Sequence, residues 1–146
     1  METQKKKVLV VEDDRAISDA ASLILRGKGF DVVQAIDGIE AMEKVDQADI
    51  VLLDLFLPRM SGEEFLGKIR KVGNYVPVVV MSAGYDREHG KERLKDFGIV
   101  DFIPKPFSAK EINDKMFAAS RLADDMKSVR KASDHLQGFL SRQARA

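Results

Sequence analysis

The stretch DIVLLDLFLPRMSG, residues 49–62, places one carboxylate, Asp54, in the middle of an apolar run. A continuous apolar run of this kind is typical of a strand that is covered on both faces, as in a parallel sheet. Burying a carboxylate among such side chains is costly unless another group pairs with it. We therefore predict a buried strand that ends at Pro58. Asp54 should either lie at the mouth of the fold or have partners elsewhere in the chain.

Strands and helices alternate along the rest of the sequence. Short runs rich in β-branched residues predict four more strands, at residues 7–13, 31–35, 75–83 and 100–103. Capping residues and apolar spacing predict helices that begin near Arg15, Asp37, Ser61, Asp86 and Ser108. Five such repeats imply right-handed crossovers and an α/β doubly wound parallel sheet with helices on both faces. The strand order expected for such a sheet is 2-1-3-4-5.

The helical pattern that begins at Ser108 continues toward the end of the sequence. Its apolar residues first keep a 4-3-4-3 spacing, at positions 112, 116, 119, 123 and 126, and Arg130 interrupts this register. A shifted register runs through Leu122, Met126, Val129, Leu136 and Leu140. We expect one domain at residues 5–122 and a helical extension at 123–146, too poor in hydrophobic residues to form a separate domain. The extension could pair with a second copy as a homodimer, although the interrupted register argues against a long coiled coil.

The composition excludes several classes of function. Its 24 basic and 24 acidic residues balance, so no excess charge favours nucleic acid or a membrane surface. No apolar run reaches about 18 residues, and Val8–Val11 is too short for the core of a signal peptide. Cysteine is absent, which excludes disulfides and zinc–thiolate sites, and His89 and His135 are far apart. We expect a cytoplasmic protein with no direct nucleic-acid or membrane partner.

Polar residues at the strand ends are the candidate partners of Asp54. In an open parallel sheet, ligands bind at the carboxyl ends of the strands, where Glu12, Asp13, Ser82 and Lys105 also stand. Carboxylates held together repel unless a cation intervenes, and Mg²⁺ binds through carboxylates and phosphate oxygens. A lysine and a hydroxyl can contact further phosphate oxygens. This set predicts a phosphoryl-transfer site, in which the carboxylate can itself be the nucleophile.

Four motifs in order carry a resemblance to a known family. They are VLVVEDD at 8–14, DLFLPRMSG at 54–62, MSA at 81–83 and DFIPKPF at 101–107. Each motif alone is weak, but each stands at a predicted strand end. Over roughly residues 7–121 the chain resembles the receiver domain of two-component response regulators, of the single-domain type. The resemblance implies a flavodoxin-like fold and, with no output domain expected in 123–146, a signal that leaves through a partner, a dimer or the last helix.

The resemblance also implies a role for each site residue. Asp54 would accept a phosphoryl group from a histidine kinase or a histidine phosphotransfer protein. The Mg²⁺ ligands would be Glu12, Asp13, Asp54 and the backbone carbonyl of Phe56, with Mn²⁺ as a substitute ion. The phosphoryl oxygens would be contacted by Ser82, the Ala83 amide and Lys105. The domain would assist its own phosphorylation and dephosphorylation without acting on an external metabolite.

A switch is implied as well. Ser82 would move toward the phosphate while the aromatic side chain of Phe102 turns inward, which alters the surface of helix 4, strand 5 and helix 5 for partner binding. The family also has a cis bond at the position of Lys105–Pro106.

Several residues depart from the usual pattern of the family. Glu12 replaces an aspartate, Phe102 lacks the hydroxyl of the usual tyrosine, and Gly84 is minimal. Phe56, two residues beyond Asp54, is bulky and apolar at a position that is often polar. We hypothesise that Phe56 excludes the attacking water and slows dephosphorylation.

Alternative interpretations remain open at this stage. Asp14 could cap the first helix, Ser82 could cap the fourth, and Lys105 could be a solvated loop charge. An aspartyl-phosphate phosphatase is disfavoured because it needs a second acid where Phe56 stands, and a nucleotide hydrolase is disfavoured because no phosphate-binding P-loop motif occurs. A receiver fold that acts as an interaction module without phosphorylation is a further alternative.

Overall fold

The computed structural model describes residues 4–145, which form a parallel sheet of five strands with helices on both faces. The strands are β1 (Lys7–Val11), β2 (Asp31–Ala35), β3 (Ile50–Leu53), β4 (Val78–Ser82) and β5 (Asp101–Pro104). The helices are α1 (Arg15–Gly27), α2 (Gly38–Lys44), α3 (Gly62–Lys71), α4 (Arg87–Leu94) and α5 (Ala109–Ala144). Strand order is β2-β1-β3-β4-β5. The predicted α/β fold, strand order and extended last helix are confirmed.

Each face of the sheet carries its own hydrophobic layer, because successive residues of a strand point to opposite faces. Leu9 and Val11 of β1 belong to one layer, and Val8 and Val10 belong to the other. The first layer is covered by α2, α3 and α4, through Ala41, Phe65, Leu66, Ile69 and Leu94. The second layer is covered by α1 and α5 through Ala21, Leu25, Ile112 and Met116. The central strands are therefore apolar on both sides.

The strand that contains the opening motif is shorter than predicted. β3 ends at Leu53, so Pro58 does not end it, and Asp54 is the first residue beyond the strand. The Asp54 N–H still donates to the carbonyl of Val11 (3.0 Å), but the chain then turns back toward α3. There the Gly62 N–H donates to the Leu55 carbonyl (2.8 Å). This turn places the Asp54 carboxylate beyond the apolar layers, at the carboxyl edge of the sheet.

Of the other strands, β2 has the predicted bounds, and three differ from the predictions by one to three residues at an end. β1 ends at Val11 rather than residue 13, and β4 spans Val78–Ser82 rather than 75–83. β5 begins at Asp101 rather than residue 100 and extends to Pro104. Glu12, Asp13, Asp54 and Lys105 therefore lie in the loops just beyond the strands, whereas Ser82 is the last residue of β4.

Side-chain caps fix the helix starts. Asp14 caps α1 as expected, accepting hydrogen bonds from Ala16 and Ile17 N–H. At Ser108, where a helix was predicted to begin, both hydrogen bonds of a capping box with Glu111 are present. At Ser61 the hydroxyl accepts from the Glu64 N–H (3.1 Å). Asp86, and not Ser82, caps α4.

The last helix, α5, runs without a break across residues 122 and 123, where we expected a domain to end. Its buried residues are Ile112, Met116, Ala119 and Ala123, all in its first half. Within the described residues 4–145, no helix is long and apolar enough to cross a membrane.

Candidate functional site

The carboxyl edge of the sheet brings five predicted site residues together. They are Glu12 and Asp13 after β1, Asp54 after β3, Ser82 at the end of β4 and Lys105 after β5. These strands are neighbours in the sheet, so their ends share one edge. The five side chains therefore lie close together, as expected from the sequence.

Asp54 is almost buried, with 4% of its surface exposed. Each oxygen of its carboxylate has a polar partner. Lys105 Nζ lies 3.0 Å from Oδ2, and the Ser82 hydroxyl donates to Oδ1 at 3.2 Å. The Phe56 N–H also donates to Oδ1 (3.2 Å). A cation and two neutral donors therefore offset the cost of removing this carboxylate from water. Ser82 and Lys105 have partners here, so neither is a free loop group.

Lys105 bridges two acids. Its ammonium lies 2.5 Å from Glu12 Oε2 and 3.0 Å from Asp54 Oδ2. Burial favours the neutral amine, but the hydrogen bonds to Glu12 and Asp54 outweigh burial and raise the pKa of Lys105. Burial is also the largest effect on Glu12 and raises the pKa of its carboxyl, against the lowering effect of its bond to Lys105. We assign Lys105 as charged because a carboxylate flanks it on either side.

Three carboxylates form a group that could hold a metal ion. One oxygen each from Glu12, Asp13 and Asp54 lies within 4.8 Å of the others. Asp13 is exposed, whereas Glu12 and Asp54 are buried, so the group opens to solvent on one side. Hard oxygen donors with an open side suit Mg²⁺, which keeps several waters when it binds proteins. The residues therefore fit the predicted ion by their donor chemistry.

A row of aromatic rings leads from Asp54 toward α4. Phe56 is 59% exposed and stacks on Tyr85, with ring centroids 6.3 Å apart and planes at 10°. Tyr85 meets Phe102 edge-on, at 6.4 Å and 81°. Arg93 of α4 lies over the Tyr85 ring at 5.7 Å. Tyr85 was not predicted as a site residue, because nothing in its local sequence indicates that it lies between two other rings.

Phe102, the predicted switch residue, is fully buried. Its ring lies against the backbone of Gly90 in α4: a Cβ added at Gly90 would stand 2.5 Å from ring carbons Cδ2 and Cε2. Gly90 therefore provides the space for the inward ring. Nothing in the local sequence of α4 indicates this role for Gly90.

Two other expected features lie beside the site. Ala83 is exposed, next to Ser82, whose hydroxyl is also 3.4 Å from the Ala83 carbonyl oxygen. The Lys105–Pro106 peptide bond is cis, as the family resemblance implied.

Asp37, the acid that follows β2, takes no part in the group around Asp54. It is buried and accepts a hydrogen bond from the Glu40 N–H (2.8 Å) as the cap of α2. Arg59 Nε lies 2.6 Å from its other oxygen. The Glu40 bond is the largest effect on Asp37 and, together with Arg59, lowers the pKa of this carboxyl against the opposing effect of burial. Asp37 is thus a structural acid.

Known families and proteins match most of the chain. A model of the response regulator receiver domain matches residues 8–117. Response regulator MprA of Mycobacterium avium (strain 104) is 35% identical over 130 residues, covering 84% of this chain and 56% of that protein. DNA-binding response regulator MtrA of Mycobacterium tuberculosis (strain ATCC 25618 / H37Rv) is 35% identical over 127 residues, covering 86% of this chain and 55% of that protein.

Solved structures give the same result for the fold. The receiver domain of the Francisella response regulator 1452 superposes with a TM-score of 0.73 at 30% sequence identity. The match covers 81% of this chain and 99% of that one. The chain therefore contains nearly the whole of a solved receiver domain. It spans little more than half the length of the two curated relatives.

Proposed function

The chain belongs to the response regulator receiver domain family, and from that premise we propose that Asp54 accepts a phosphoryl group from a phosphohistidine partner in a two-component system or phosphorelay. One observation carries the proposal. Asp54 is nearly buried, yet it is paired with Lys105 and Ser82 and shares an open acidic group with Glu12 and Asp13. A purely structural carboxylate would not need that open, acidic side.

The reaction is a transfer of phosphorus between two nucleophiles. An oxygen of Asp54 attacks the phosphorus, the P–N bond to the donor imidazole breaks, and its electron pair stays on the imidazole nitrogen, which takes up a proton. The product is an acyl phosphate. Water later attacks the phosphorus and releases inorganic phosphate, with Asp54 leaving as a carboxylate. The domain thereby assists its own phosphorylation and dephosphorylation.

The residues around Asp54 have separate tasks in this proposal. Lys105 and Ser82, which contact the free carboxylate, hold the phosphoryl oxygens after transfer, together with the Ala83 amide. Glu12, Asp13, Asp54 and the Phe56 carbonyl would hold Mg²⁺, or Mn²⁺ in its place. The bound ion supplies positive charge to the phosphoryl oxygens. The charge of Lys105 also reduces repulsion between Asp54 and the incoming phosphate.

Signal output depends on which group the Ser82 hydroxyl contacts. When its hydroxyl turns from Asp54 to the phosphate, the packing beside Phe102 changes, and with it the surface formed by α4, β5 and α5. We propose that this surface binds the downstream protein partner. The relative MtrA is named as a DNA-binding protein as a whole, and this chain matches 55% of it. The balanced charge of this chain leads us to expect no direct DNA binding by the receiver domain.

Intact-mass spectrometry tests the phosphoacceptor. The chain is incubated with acetyl phosphate and Mg²⁺, and we expect a single phosphoryl adduct that disappears when the ion is chelated. Asp54→Asn should abolish the adduct. Asp14→Asn is the matched control, because asparagine preserves the cap of α1 and the residue lies outside the acidic group. No adduct on the unmodified chain would favour the interaction module that works without phosphorylation. Sustained phosphate release from an added phosphomonoester would favour the phosphatase.

Phe56 is proposed to control the lifetime of the acyl phosphate. Its exposed ring lies beside the loop at Gly84: a Cβ added to Gly84 would be 3.8 Å from Cε2 of the ring. The ring also stacks on Tyr85. This position lets the ring restrict the approach of water to Asp54. Phe56→Asn should therefore shorten the lifetime of the adduct without reducing the rate of its formation. An unchanged decay rate would show that the ring does not restrict water.

A further inference from the structure

The part of α5 that projects beyond the domain carries an apolar stripe. Six residues lie along it: Leu122, Met126, Val129, Ser133, Leu136 and Leu140. Five of the six are apolar, and all except the half-buried Met126 are exposed, with Val129 at 69% and Leu136 at 57%. Large apolar side chains exposed in a continuous row on one helix face indicate a binding surface.

The stripe follows a heptad repeat, whose positions are written a to g. Position a holds Met126, Ser133 and Leu140, and position d holds Leu122, Val129 and Leu136. From residue 120 to residue 142, positions b, c and f hold only polar residues and one glycine. Apolar a and d positions beside polar b, c and f positions are the pattern of a helix that pairs with another helix along this seam.

The stripe is a different face from the one that packs on the domain. At about 100° per residue, the buried face of Ile112, Met116, Ala119 and Ala123 lies about a quarter turn from the stripe. This explains the interruption at Arg130, because one register ends with the domain and the other continues along the projecting helix. Leu122 and Met126 lie at the start of the second register. The interrupted register therefore does not argue against a coiled coil.

Two ion pairs attach the start of the projecting helix to the domain. Lys6 Nζ lies 3.0 Å from Asp124, and Lys127 Nζ lies 3.1 Å from Asp49. Asp124 and Lys127 stand at positions f and b, away from the stripe. The domain thus contacts α5 from the side. Met126 and Arg130 line a cavity with domain residues that include Asp49, and the stripe is accessible from Val129 onward.

We propose that the stripe pairs with the same stripe of a second copy of this chain, as a parallel two-stranded coiled coil. In a parallel pair, position g of one helix faces position e of the next heptad in its partner. Asp125 stands at g and Arg130 at e, so a parallel dimer forms two symmetric pairs of opposite charge. In an antiparallel pair e faces e and g faces g. Here position e holds no acid and position g holds no base over residues 118–144.

The domains also fit the parallel arrangement. Because each domain lies about a quarter turn from the stripe, a two-fold axis between the helices places the two domains on opposite sides of the helix pair. The sheet edge with Asp54 takes no part in this contact. The dimer is therefore independent of the chemistry proposed at Asp54.

Sedimentation measurements on the full chain test the dimer. We expect a concentration-dependent dimer, and Leu136→Asp should raise its dissociation constant by more than about tenfold because a charge enters the apolar seam. Leu136 is exposed in the single chain, so this change leaves the fold of the domain intact. Ser128→Asp, which adds the same charge at outward position c, is the matched control and should leave the dimer unchanged. A chain that stays monomeric at every concentration, or a dimer insensitive to Leu136→Asp, would overturn the proposal.

Charge exchange and cross-linking test the orientation. Asp125→Arg and Arg130→Asp should each weaken the dimer, and the double exchange should restore it. Since the chain has no cysteine, Gln143→Cys at position d should form an intermolecular disulfide under mild oxidation, whereas Ser141→Cys at outward position b should not. A dimer that survives both single exchanges, or that gives no disulfide from Gln143→Cys, would contradict parallel pairing.

Discussion

Replacing Gly90 by alanine should force a conflict between α4 and the predicted switch residue. The added Cβ would lie 2.5 Å from Cδ2 and Cε2 of Phe102 and 2.7 Å from Cγ. Carbon atoms in favourable contact are about 3.5–4.0 Å apart, so the ring or the helix must move by roughly 1 Å. Phe102 is fully buried, so its ring cannot turn toward solvent without repacking its neighbours. We expect the conflict to destabilise the fold.

The expected magnitude combines two opposing effects. Overpacking in a filled core typically costs about 1–3 kcal/mol. Alanine in a helix interior gains roughly 0.5–1 kcal/mol over glycine. With the middle of each range, the net loss for Gly90→Ala should therefore be about 1 kcal/mol, and at most about 2.5 kcal/mol.

Three further variants isolate the cause: Gly67→Ala, Phe102→Ala, and Gly90→Ala combined with Phe102→Ala. Gly67 lies in α3, where an added Cβ would be 3.7 Å from Phe97 Cε1, an ordinary contact. Gly67→Ala should therefore stabilise by roughly 0.5–1 kcal/mol, as helix propensity alone predicts. In a Phe102→Ala background the conflict at Gly90 disappears, and Gly90→Ala should change sign from destabilising to stabilising.

Urea unfolding of the four variants and the parent chain provides the assay, with stability extrapolated linearly to zero denaturant. The coupling between positions 90 and 102 is the difference between the effect of Gly90→Ala in the two backgrounds. If Gly90→Ala stabilises the parent as much as Gly67→Ala does, the ring of Phe102 does not occupy the space beside Gly90.

Three further changes test other parts of the fold by urea unfolding. Ser108→Ala should cost about 1 kcal/mol, because it removes the capping box of α5, and a neutral effect would contradict that cap. Gly62→Ala should cost more than about 2 kcal/mol, because its Cβ would overlap the Asp54 carbonyl oxygen and the Leu55 Cα, and a tolerated alanine would refute the close approach. The pKa of Asp37 is lowered on folding, so its stabilisation is complete above its unfolded value of about 3.9 and is lost as pH falls through the folded value. Asp37→Asn, which keeps a capping side chain, should therefore be less stable than the parent at neutral pH, and a deficit that persists undiminished in acid would contradict this linkage.

Local sequence signals predicted the strand order, the helix starts and the cluster around Asp54. The apolar strands and the caps at Asp14 and Ser108 depend on neighbouring residues, and the parallel topology then brings the strand ends to one edge. Apolar character alone did not predict where β3 ends. Leu55 and Leu57 are apolar yet lie in the loop beyond the strand, where they pack against the core without pairing in the sheet.

Contacts between distant segments were not predictable in the same way. Tyr85 lies between Phe56 and Phe102, and Gly90 lies against Phe102, only because the β4–α4 loop crosses the sheet edge. On α5, the sequence showed two apolar registers, but only the packing of the first half on the domain reveals that they are two faces.

Reductive trapping with borohydride tests the central claim, that Asp54 is the reactive carboxylate, most directly. The chain is phosphorylated with acetyl phosphate and Mg²⁺, and hydride reduction then converts an acyl phosphate at an aspartate to homoserine with release of phosphate. Peptide mass mapping locates the converted residue. We expect homoserine at position 54 and none at Asp13. Conversion at another acid, or a phosphorylated chain with an unaltered Asp54, would contradict the proposed site.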